Sequence, residues 1–132
     1  MTSELTDAEK TDRVRALNDM ARQKPGVACR ANMTIGFAAL EDHDRQAAVT
    51  AILAYDQFHE GNDPHGEHDF GAIYRLHTGE WTQHRPKDHK MIGETVFWKI
   101  DCYDKQLEFG SETPWDNAQT ARVLTIMLAN EY

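Results

Sequence analysis

Apolar and polar positions along this chain alternate with two different periods. Val14, Leu17 and Ala21 recur at i, i+3 and i+7, with Met20 beside them, which is one face of a helix. Thr6 and Glu9 stand at capping-box spacing ahead of that stripe, and Pro25-Gly26 stops it, so a first helix is predicted over 7–24 with its charges solvated. Residues 27–35 then switch to period two, Val27, Cys29, Ala31, Met33 and Ile35 alternating with smaller or polar neighbours, as a half-buried strand requires. Acids at 41–44 followed by Ala48, Val49, Ile52 and Leu53 predict a second helix over 42–57.

Residues 70–76 read as a second strand. The stretch 94–103 is the strongest strand signal, with Val96, Trp98, Ile100 and Cys102 on one face and Phe97, Lys99, Asp101 and Tyr103 on the other. A turn at Asp104-Lys105 predicts a hairpin return over 106–110. Thr113 as N-cap, Pro114 at the first helical position, and Ala121, Leu124, Thr125 and Leu128 predict a closing helix. Between strands, 75–93 is a long connection or extended hairpin. The expected fold is α+β, one domain over 1–132, with a mainly antiparallel sheet of three to four strands packed by about three helices.

Length and composition fit that expectation. A chain of 132 residues, 40% hydrophobic, buries roughly two-thirds of its unfolded surface and needs no disulfide or metal to fold. Cys29 and Cys102 form no Cys-x-x-Cys pair and are expected as buried reduced thiols. The first ten residues are polar and mixed in charge, unlike a signal peptide or an anchor, and no apolar run approaches the ~20 residues of a membrane helix. A cytoplasmic location, with no membrane partner, is the expectation.

Charge narrows the function classes. The net charge is −8, and residues 46–74 hold five acids and no Lys or Arg. Such a field repels free nucleic acid and favours basic partners or cations. The densest chemistry lies in 62–71, Asn-Asp-Pro-His-Gly-Glu-His-Asp-Phe-Gly, which its glycines and Pro64 make irregular. Patterns for a nucleophilic serine, a phosphate-cradling glycine loop and a dinucleotide fold are all absent. Lys99-Ile-Asp101 reverses the acid-x-Lys order of a restriction-type nuclease.

Two functional readings remain. In the first, a metal or acid/base site, His65 and His68 with Asp69 offer nitrogen and oxygen ligands for zinc or another divalent ion, with Asp63 and Glu67 near and His59 a further donor; an open position would activate water for hydrolysis, or the same groups would serve acid/base catalysis without a metal. Against it stands a structural reading, in which Asp63 caps a turn and His68 and Asp69 bond loop backbone. In the second, Asp63, Glu67, His68, Asp69, Lys99 and Asp101 border an acidic surface that docks on a basic protein surface, with Trp115, Tyr103 and Phe97 as candidate anchors and no cofactor. Lys99 and Asp101, two apart on one face, suit either a structural ion pair or a site border.

Three blocks carry a resemblance: 62–71, Val-Phe-Trp-Lys-Ile-Asp-x-Tyr-Asp at 96–104, and Arg-Val-Leu-Thr-Ile-Met-Leu-Ala-x-Glu-Tyr at 122–132. Together they resemble the bacterial domain-of-unknown-function family 3768, loosely before Ile35 and closely after Asp56, with a longer 75–93 connection here. The resemblance implies an alphaproteobacterial setting, often on mobile elements, and brings no established activity. That setting points the second reading toward an inhibitor of a host defence nuclease, CRISPR or restriction, and this is the function expected.

Overall fold

Thr6 and Glu9 form the predicted reciprocal cap, each side chain bonded to the other's backbone N–H, and they start helix α1, Asp7–Gln23. The computed structural model describes residues 4–132, so the first three residues of the polar start lie outside it. After α1 come strand β1, Arg30–Met33, a one-turn helix α2, Ile35–Ala38, and helix α3, Asp42–Leu53. Strands β2, Phe70–Leu76, β3, Trp81–Thr82, and β4, Ile92–Tyr103, follow, and β5, Ala121–Leu128, closes the sheet before a final 3-10 turn, Ala129–Glu131.

The five strands lie in the order β1-β5-β4-β2-β3. β4 pairs antiparallel with both β2 and β5, whereas β1 runs parallel to β5. The fold is therefore α+β as expected, but the sheet is mixed and five-stranded rather than mainly antiparallel with three to four strands. The cause is the stretch read as a closing helix. It is β5, an interior strand of the sheet, with Arg122, Val123, Leu124, Ile126 and Met127 all buried. A strand covered on both faces loses period two and becomes a near-continuous apolar run, which spacing alone does not separate from a helix.

Three smaller expectations also change. The hairpin return at 106–110 is a loop that meets β4 through one bridge, Tyr103 to Gly110, with Leu107 at φ 61°. The first strand is shortened to four residues, because Thr34 caps α2, and the second helix ends at Leu53. Within 75–93 the chain makes the short strand β3, hairpinned to β2 through Tyr74 and Arg75.

The helices cover one face of the sheet. Phe37, Ala48, Ile52, Ile73, Val96, Trp98 and Leu124 are at most 1% exposed there, and burying each large side chain stabilises by about 1.5–3 kcal/mol. Asp44 pins α3 to the sheet, its carboxylate accepting from the Arg75 guanidinium at 2.9 Å and the Trp81 indole at 3.1 Å. Those donors, the indole bond first, hold its carboxyl below the usual aspartate value. On the opposite face Phe70, Phe97 and Tyr132 pack as a small aromatic cluster. Among the described residues, no helix is long and apolar enough to cross a membrane.

Gly71 is where loop 62–71 enters the sheet, and its place follows from packing. An added Cβ would lie 2.4 Å from the Trp98 indole nitrogen and 2.7 Å from the Tyr55 ring. Both rings are buried, so neither can give way cheaply. Gly71→Ala should cost about 1–3 kcal/mol by overpacking, read as a lower urea midpoint with an unchanged slope; an unaltered midpoint would show that the rings yield.

Candidate functional site

Loop 62–71 is built from inside by Asp63. Its carboxylate, 6% exposed, accepts the backbone N–H of Glu67 at 3.1 Å and of His68 at 3.3 Å, and lies 3.6 Å from the His68 Nε2. Gly66 and His68 both take positive φ, 68° and 53°. Glycine does so freely, whereas histidine there costs on the order of 1 kcal/mol and needs its surroundings to hold it. Asp63 caps the turn, as the structural reading of the sequence has it.

Helix α1 supplies the other half of the clamp. Arg15 donates to the Gly66 carbonyl at 2.6 Å, and Asn18 donates to the Glu67 carbonyl at 2.9 Å. Asp19 bonds the His68 Nδ1 at 2.8 Å and accepts from Arg22 at 2.9 Å. The His68 ring lies flat on Phe58, 3.7 Å between centroids, and Arg22 sits over both Phe58 and Trp98. A cavity of about 430 Å³ opens beside this cluster, lined by Asp19, Arg22, Tyr55, Phe58 and His68 among others. Asn18 is 1% exposed and Arg22 3%, so this flank of α1 is not the solvated face that its charges suggested. A signal was present: both residues fall at four-residue steps from Val14, on the inward stripe.

On the other side of the loop, Glu67, Asp69 and Asp101 line a notch of about 230 Å³ with Asn18, Cys102, Ser111 and Pro114. β4 outruns β2 at this end, since Phe70 pairs with Lys99 and the Asp69 carbonyl takes the Ile100 N–H. Lys99 bonds Asp101 at 3.0 Å, an ion pair on the notch border that combines both readings of that pair. Glu67 and Asp69 are different. Among the described residues neither carboxylate has a salt bridge or accepts a hydrogen bond from another residue's side chain. Burial first, then the charge of neighbouring acids, pushes both carboxyls above their usual values. Below them Arg122, 4% exposed, donates to Asn18 at 2.8 Å and to the Pro114 carbonyl, which ties α1 and the 113–120 segment to β5.

The predicted residues thus divide. Glu67, Asp69 and Asp101 gather at the notch with Lys99 paired to Asp101 beside it, Asp63 and His68 are internal supports, and His65 is exposed at the loop tip. The proposed ligands His65, His68 and Asp69 do not converge. Among the described residues, the trio whose donor atoms all lie within 4.8 Å of one another is Glu41, His43 and Asp44. Both His68 nitrogens face carboxylates, and both Asp44 oxygens hold donors of their own. Trp115, Tyr103 and Phe97 stand outside the notch, Trp115 under the Lys10 ammonium.

The clamp makes a direct energetic prediction. Asp19→Ala leaves the Arg22 guanidinium buried without its carboxylate, and should cost about 2–3 kcal/mol, somewhat less than a fully buried pair because Asp19 keeps partial exposure. Adding Arg22→Met, which fills the same space between Phe58 and Trp98, should recover part of that loss. Equal stability of the single and double variants in urea unfolding would remove the buried charge as the cause.

Comparison with known proteins adds one identification. No curated protein and no solved structure matches the chain. A family model does, over residues 33–131, under the description "Protein of unknown function (DUF3768)". That span takes in β2 to β5, α3 and the whole of loop 62–71. The chain belongs to this family of unknown function.

Proposed function

We propose that this protein acts by docking its acidic notch on a basic protein surface, and that the partner is a nuclease of a host defence system, CRISPR or restriction, whose nucleic-acid-binding face offers arginine and lysine. The observation that carries the reading is the state of Glu67 and Asp69. Two half-buried carboxylates, side by side, with no lysine or arginine paired to either among the described residues and only the exposed His65 as a basic neighbour, raise the free energy of the unbound protein. A lysine or arginine entering the notch would relieve that repulsion, so the cost in the free protein becomes affinity in the complex. A rigid scaffold supports this use, because the backbone under both acids is bonded to α1 and β4. The chain's net charge of −8 adds long-range attraction to such a partner.

Metal-dependent hydrolysis or metal binding is the second reading, and the Glu41–His43–Asp44 trio favours it more than loop 62–71 does. Mass spectrometry of the purified protein should find no stoichiometric metal, with the melting temperature unmoved by chelator. Stoichiometric metal that disappears in His43→Ala would decide for the metal reading.

The docking reading has a distinctive signature. Glu67→Gln with Asp69→Asn should raise the melting temperature at neutral pH and weaken binding to an arginine-rich peptide by about tenfold or more, ~1.4 kcal/mol. Both carboxyls have folded values above their unfolded ones, so ionising them costs stability as pH rises through the folded values. A basic partner favours the ionised forms, and affinity should therefore rise with pH across the same window. A variant that melts lower and binds the peptide as well as wild type would overturn this reading.

A further inference from the structure

At the far edge of the sheet, β1 leaves a row of backbone groups without partners. The Thr34 N–H bonds the Ile126 carbonyl on β5, so backbone groups of Arg30, Asn32 and Thr34 face β5. By the period of two, those of Ala31 and Met33 face outward. All four residues of β1 are exposed, among the described residues no other strand lies beyond it, and it holds no proline, lysine or bulge to blunt pairing. Apolar side chains flank it, Val27 at 86% and Ile35 at 89% exposed.

We infer that β1 pairs antiparallel with β1 of a second copy of this chain, about a twofold axis through Asn32. One register keeps the pairing within 30–34. Ala31 then faces the partner copy's Met33 and Met33 its Ala31, each pair exchanging two N–H to carbonyl bonds, and Asn32 lies opposite its own equivalent. Charge complementarity selects the second copy as occupant. Arg30 falls opposite Thr34 of the other copy, and the Thr34 hydroxyl donates to the Glu131 carboxylate, which also accepts from the Gly36 and Leu128 N–H groups. Among the described residues Arg30 has no acid and Glu131 no base within its own chain. Positions 30, 32 and 34 share one side of β1, so each Arg30 reaches the other copy's Glu131 on the same face, twice per dimer. The result is a continuous ten-stranded sheet with helices on one side.

Sedimentation at about 100 µM, where a micromolar Kd keeps the dimer dominant, should give twice the 15.1 kDa of one chain. Asn32 sits in a non-hydrogen-bonded pair, with Cα atoms about 4.5 Å apart, close enough for a disulfide. Asn32→Cys should therefore oxidise to a covalent dimer well above the wild-type background set by Cys29 and Cys102. Ala31→Cys, which faces Met33, should not. Arg30→Glu, an exposed change that leaves the fold intact, should weaken the dimer at least tenfold. A monomer at that concentration, equal cross-linking at 31 and 32, or undiminished dimerisation of Arg30→Glu would each overturn the inference.

Discussion

Everything distinctive about this molecule depends on one short stretch of α1, Asn18 and Asp19, facing inward. Asn18 donates to the loop through the Glu67 carbonyl and accepts from Arg122 on β5. Asp19 joins Arg22 to His68. A buried amide with both ends satisfied is strongly directional, since leaving either end unpaired costs about 1–3 kcal/mol. These two residues therefore fix the distance between helix, loop and sheet, and the notch exists because that distance is fixed.

The loop holds two opposite electrostatic solutions on its two sides. Beside His68 the carboxylates have partners: Asp19 meets the Arg22 guanidinium and the His68 Nδ1, and Asp63 lies against the Nε2, with the imidazole flat on Phe58. Beside Glu67 and Asp69 they are left unmatched. Folding normally removes such mismatches, and the one that persists here, on an otherwise well-satisfied framework, is the feature on which the docking proposal rests. Asp101 makes the contrast sharper, because its own cation, Lys99, is two residues away on the same strand.

Much of this was legible in the residues, and the failures have physical causes. The capping box of α1, the start of α3 at Asp42 and the alternation of β4 follow from local chemistry, and the structure has them. β5 was misread because an interior strand is apolar on both faces, and no local rule tells such a strand from a helix when threonine and proline happen to precede it. Loop 62–71 was found by its density of titratable groups, and the capping role of Asp63 was available from its place before Pro64. The three candidate metal ligands do not converge, because residues close in sequence diverge in a loop with two positive-φ positions: His65 is exposed at the tip, His68 bonds inward to Asp19, and Asp69 lines the notch. The roles of Asn18 and Asp19 are hard to read for the converse reason: their place on the inward side of α1 is visible in the spacing, but their partners lie about fifty to one hundred positions away.

That last separation bears on synthesis. The bond from Arg122 to Asn18 spans 104 positions, and β5, which carries Arg122, is the last of the five strands in chain order. Until then α1 has no buried amide partner on the sheet, and β1 has no neighbour at all. Long-range closure of this kind is slow relative to helix formation. The nascent chain would carry α1, α3 and the β3-β2-β4 part of the sheet early, while the tie from Asn18 to Arg122 and the attachment of β1 come only with β5.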